Sequence, residues 1–169
     1  MRPTQTRVII MKRFLTIFLL IVIVFSASNV YAESTVYVFM KSVGNITTKM
    51  SLNGKEAFDM TGPVKKTISP SDIMRLPYYQ YAACKKKCII KEEGKVLFSI
   101  ECEHTNSMNE KVSKYAAEIQ LNLTESSVHY IMITNKGLND VQIIELNEKK
   151  ANKLLNDKKY VDLQEYIED

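Results

Sequence analysis

The chain has 169 residues, 46% of them hydrophobic and 25% charged, with no tryptophan and a formal net charge of +4. All 19 acidic residues lie at or after Glu33, whereas four of the 23 basic residues (Arg2, Arg7, Lys12, Arg13) precede it, leaving 19 basic against 19 acidic beyond that point. A neutral remainder with few glycines and prolines excludes a collagen-like or disordered chain. It also removes the electrostatic basis for binding nucleic acid or anionic lipid.

The first element in chain order is Met11–Ala32, MKRFLTIFLLIVIVFSASNVYA. Lys12 and Arg13 precede a twelve-residue apolar run, Phe14–Phe25, interrupted only by Thr16, and Val30-Tyr31-Ala32 ends in compact residues. These are the three parts of a secretory signal peptide. Residues 1–32 are therefore expected to be an N-terminal extension and a cleaved signal, and 33–169 a single domain of ordinary size. A membrane span needs about 20 apolar residues, so none is expected after cleavage. The compartment is outside the cytoplasm: periplasmic, cell-surface or secreted.

Ser34–Met40 (STVYVFM) is β-branched and aromatic, the composition of a strand. Asn53-Gly54 between Thr47–Leu52 and Lys55–Met60 predicts a hairpin, because a two-residue type I′ turn needs positive φ at both positions. Val64–Ile68 and Tyr78–Ala83 read as strands on either side of a turn at Ser69–Asp72. Strands are also predicted at Lys87–Lys91, Lys95–His104, Lys114–Leu123, Ser126–Thr134 and Leu138–Leu146, with polar turns between them. From about residue 147 the period changes to helical: Asn147 can cap, and Ala151, Leu154, Leu155 and Lys158 follow at helical spacing. Asp162-x-x-Glu165 has the form of a capping box for a second short helix carrying Leu163, Tyr166 and Ile167. The expected fold is mainly β: an antiparallel β-sandwich of about seven or eight strands with one or two C-terminal α-helices.

The order of a VYVF strand, an SLNGK hairpin, an IQLNLTESSVHYIMI strand pair and an LNEKKANKLL helix resembles small exported bacterial domains of unknown function with immunoglobulin- or transthyretin-like sandwiches. The resemblance spans roughly residues 35–155 and implies the fold alone.

Three cysteines, Cys84, Cys88 and Cys102, surround Glu92-Glu93-Gly94. A hairpin there, with Gly94 in the left-handed conformation, pairs Ile90 with Val96, Cys88 with Phe98 and Cys84 with Cys102, and collects Ile90, Val96, Cys88, Phe98, Ile100, Cys84 and Cys102 on one face. Directly opposed Cβ atoms lie about 4.5–5.5 Å apart, so an oxidising compartment predicts a Cys84–Cys102 disulfide, with Cys88 the other available partner for Cys102. A different reading takes Cys84, Cys88, Cys102 and His104 as four soft ligands at zinc-like spacing, or the thiols beside Lys85-Lys86-Lys87 as a redox switch.

Nothing in the sequence pairs a nucleophile with a base. The histidines are His104 and His129 alone, the carboxylates are scattered, and no glycine-rich phosphate loop occurs among five glycines. Tyr78, Tyr79 and Tyr81 are the candidate contact residues, since tyrosine offers area with a polar tip; the other reading is half-buried sheet aromatics. The expectation is a non-enzymatic envelope module without a cofactor, binding a protein or glycan partner. The alternative is an exported thiol- or metal-dependent protein using Cys84, Cys88, Cys102 and His104.

Overall fold

A computed structural model describes residues 33–41, 46–68, 77–105, 111–137 and 140–168. The chain divides into two units, Met1–Tyr31 and Ala32–Asp169, and all described residues belong to the second. The expected signal peptide (1–32) and the turn at Ser69–Asp72 lie outside the described residues, as do the side chains of Tyr78, Tyr79 and His104.

The elements are β1 (Ser34–Met40), β2 (Ile46–Leu52), β3 (Lys55–Asp59), β4 (Val64–Ile68), β5 (Pro77–Tyr81), β6 (Cys84–Ile90), β7 (Gly94–Thr105), β8 (Lys111–Leu123), β9 (Val128–Gly137), β10 (Asp140–Glu145), α1 (Glu148–Leu155), β11 (Val161–Asp162) and β12 (Tyr166–Ile167). The β-rich expectation holds. Sheet A has the order β10-β9-β1-β6-β11, with β12 also on β6; sheet B is β3-β2-β7-β8; β4 and β5 form a separate ribbon. Sheet A is mixed rather than wholly antiparallel, because β1 pairs antiparallel with β6 but parallel with β9. The composition of β1 fits this place: a strand buried on both faces reads as a nearly continuous apolar run, and Val36, Val38, Phe39 and Met40 are all buried.

The inner faces of the two sheets supply one core cluster. Sheet A contributes Val36, Val38, Cys84, Cys88, Ile90, Ile131 and Ile133, and sheet B contributes Met50, Leu52, Val96, Phe98, Ile100, Cys102, Leu121 and Leu123. Each fully buried side chain of this size contributes about 1.5–3 kcal/mol over leaving it exposed. Lys86 is the inward position of β6 that is not apolar; its ammonium lies 5.1 Å from the centre of the Phe58 ring, a cation–π contact. The buried polar residues are satisfied locally. Ser34 Oγ donates to the Thr124 carbonyl at 2.8 Å, and Thr48 N donates to Thr61 Oγ1 at 3.1 Å.

Local turn chemistry follows the sequence closely. Asn53 and Gly54 take φ of 47° and 80° between β2 and β3, Gly94 takes 88°, and Ser126 adopts 57° in the β8–β9 turn where glycine is the usual residue. Gly62 is required for another reason: a Cβ there would sit 2.2 Å from the Ala82 carbonyl, where the two ends of the ribbon cross.

Asn147 caps α1 as expected, its side chain accepting from Lys150 N at 3.0 Å. The second predicted helix is corrected: residues 161–167 are extended, forming two short parallel pairings with β6. Its carboxylates meet partners on β6 instead of capping a helix, Asp162 at Lys85 and Glu165 at Lys87. Among the described residues no helix is long and apolar enough to cross a membrane.

Candidate interaction surface

The structure corrects the strand pairing expected around the thiols. β6 and β7 are joined by three residues but do not pair: β6 lies in sheet A beside β1, and β7 lies in sheet B between β2 and β8. The two apolar sets that suggested one hairpin face are the inner faces of two different sheets. Cys84 is therefore across from Met40 in its ladder, and Cys102 across from Thr48 and Tyr115. All three cysteines are buried free thiols, and the expected Cys84–Cys102 bond is absent. Cys84 Sγ donates to the Met60 carbonyl at 3.2 Å, and Cys102 Sγ lies 3.5 Å from Thr48 Oγ1.

Burial pushes the Cys84 thiol up to about 11 and Cys88 up to about 12, with Lys86 pulling weakly the other way. Cys102 is raised too, by burial, with the Thr48 hydroxyl opposing. Thiols held protonated in this way are poor nucleophiles at neutral pH. Among the described residues no group of three or more His, Cys, Asp or Glu side chains is placed to hold a metal ion.

The tyrosine stretch forms β5 of the ribbon. Its register sets Tyr81 across from Val64, Tyr79 across from Lys66 and Tyr78 across from Thr67. Val64 is 55% exposed, while Tyr81 is half-buried and engaged by neighbours.

A second aromatic feature lies on the outer face of sheet A. Tyr37 of β1 and Tyr130 of β9 are register partners, and their rings stack with centroids 5.5 Å apart and planes 13° from parallel. The adjoining cross-strand row is Val128–Thr35–Ile89–Ile167, on β9, β1, β6 and β12 in turn. Its two ends are open: Val128 is 49% exposed and Ile167 58%. On the other side of the tyrosines, the row containing Met132 and Phe39 is covered by Ala151 of α1 and by Tyr160, whose ring meets Phe39 edge-on at 6.1 Å. Among the described residues the helix covers one part of this sheet face, Tyr37 and Tyr130 pack half-buried against the edge of that part, and the next row ends in exposed Val128 and Ile167.

Tyr130 also faces a depression of about 400 Å³ lined by Val128, His129, Glu145, Leu146 and Glu148. Burial raises the Tyr130 hydroxyl above its usual range, and Glu148 and Tyr37 add to that. His129 Nδ1 lies 3.0 Å from Glu145 Oε1. Val36 of β1 separates His129 from Cys88, so two strand spacings of about 4.8 Å each keep imidazole and thiol from forming a pair. A second depression, about 390 Å³, lies over the outer face of sheet B between Thr47, Lys49, Asp59, Thr61, Glu101 and Glu103.

Sequence reasoning identified Tyr78, Tyr79 and Tyr81 but missed Tyr37 and Tyr130. The signal was half present, since both alternate with inward residues in apolar strands. What brings them together is the parallel β1–β9 pairing, which has no local sequence mark. No protein-family model matches this chain, and no curated protein matches it in sequence.

Proposed function

We propose that the chain is an exported, non-enzymatic binding or accessory module of the bacterial envelope, built as a β-sandwich and acting by surface contact. The observation that carries this reading is the half-buried Tyr37–Tyr130 stack at the margin of the helix-covered part of sheet A, beside a row that ends in exposed Val128 and Ile167. Aromatic area with polar tips beside exposed aliphatics suits a protein or glycan partner. Tyr78, Tyr79 and Tyr81 of β5 are candidates for a second contact of the same chemistry. Buried, protonated thiols lend no support to the thiol-dependent alternative.

The test compares the purified chain with a Tyr37→Ser/Tyr130→Ser variant, reading binding to envelope proteins and to a glycan array. The expected result is a bound partner that the double variant loses at least ten-fold, a loss of about 1.4 kcal/mol or more, while still melting cooperatively above the assay temperature. Equal binding by both chains, or a measured turnover without any partner, defeats the reading.

A further inference from the structure

Residues 161–168 form a strap along the outer edge of β6. Its ladder has two short stations, Val161 and Asp162 with Cys84 and Lys85, then Tyr166 and Ile167 with Cys88 and Ile89. Its amides donate to β6 at three points: Val161 N to the Ala83 carbonyl at 2.9 Å, Leu163 N to Lys85 at 2.8 Å and Glu168 N to Ile89 at 3.0 Å. Carboxylates recur every third residue, and each meets a donor. Asp162 lies 3.5 Å from the Lys85 ammonium and Glu165 lies 2.7 Å from Lys87. Glu168 accepts from the backbone amides of Lys91 and Glu92 at 2.7 and 3.1 Å. Between the charges, Leu163 and Tyr166 turn inward onto the core, and the Tyr166 ring lies 4.8 Å from Phe58.

These contacts describe a recognition code. The edge of β6 accepts a strand running parallel to it, with carboxylates at three-residue spacing and an aromatic immediately after the middle one. The ladders are short and the ion pairs partly exposed, the 156–159 connection to α1 is largely exposed, and the core contacts of Tyr160, Leu163 and Tyr166 are exchanged together with the strap. We propose that the β6 edge is a binding site for an extended acidic strand, occupied here by the chain's own strap and open to the same strap of a second copy. An exchanged strap makes identical contacts, so the balance between the two states is set by concentration against tethering. The lysines Lys85 and Lys87 then have a role beyond keeping an edge soluble: they select acidic partners and reject basic ones.

The probe is a fluorescein-labelled peptide of residues 160–168, YVDLQEYIE. It is expected to bind the purified chain saturably, and to bind a Glu165→Lys/Glu168→Lys chain at least ten-fold more tightly, because that chain's own strap competes poorly. The peptide carrying the same two substitutions is expected to bind at least ten-fold more weakly. Sedimentation of the unmodified chain is expected to show a dimer fraction that rises with concentration and falls when the peptide is added. Absence of peptide binding to both chains overturns the site. Peptide binding by a chain that stays monomeric throughout overturns the second copy as occupant. Failure of the double variant to melt cooperatively shows that the strap is an integral part of the fold, and overturns the exchange.

Discussion

The two sheets bury their inner faces in one core, yet their outer faces differ in kind. The outer face of sheet B carries Lys49, Glu101, Glu103, Lys114 and Asp59 in open rows, with Lys49 paired to Glu56 at 2.9 Å and Lys114 to Glu101 at 2.7 Å. The outer face of sheet A carries Tyr37, Phe39, Tyr130 and Met132, and α1 lies over part of it. The difference teaches where a third layer belongs. Strict alternation of apolar and polar residues, as along β8, marks a sheet with one face in water; apolar residues in consecutive positions, as in Val38-Phe39-Met40, mark a strand that something else must cover.

The largest effect that separates the two faces is expected from Phe39→Ala. It should cost about 3–5 kcal/mol in denaturant unfolding, because Phe39 is fully buried between sheet A and α1. A loss under about 1 kcal/mol would mean that the helix is not a true third layer.

A titration isolates the core that both faces share. Cys84 and Cys88 have folded values near 11 and 12 against an unfolded value of 9. Their contribution to stability is therefore fully present below pH 9 and is lost as pH rises through 11 to 12. Melting temperature is expected to fall over that window and to fall less in a Cys88→Ala chain. Alkylation at neutral pH is expected to modify none of the three thiols in the folded chain and all three after denaturation.

Asn147→Ala removes the cap that holds the third layer in place and is expected to cost about 1 kcal/mol in the same unfolding assay. The smallest effect belongs to sheet B: Lys114→Ala should leave the unfolding midpoint unchanged, since it removes only a solvated ion pair. A clear shift there would show that the charged face is covered as well.

What could be read from the sequence was whatever a few neighbouring residues decide. Asn53-Gly54, Gly94 and the Asn147 cap are local conformational requirements, and each stands where its residues placed it. Alternation also identified the inward residues of β6 and β7 correctly. It failed on their partners, because period two reports which face a residue occupies and not which strand lies beside it. That single ambiguity converted strands of two different sheets into one hairpin and placed Cys84 opposite Cys102. The strap was misread for a related reason: carboxylates spaced three apart suit a helix cap, and they equally suit a row of donors along β6. Tyr37 and Tyr130 became a surface only through strands far apart in the chain.

The place of β1 has a consequence for the order of events in folding. The first strand lies inside sheet A, and both of its neighbours come much later; Ser34 is bonded to Ser127, 93 positions downstream. Pairing at that separation must close a long loop before any contact rewards it, which slows folding. No early portion of the chain can complete its sheet, so the nascent protein stays open until β9 has been made. A chain that folds this late can still be threaded through a narrow membrane pore, which is what the export signal read at 11–32 would require of it.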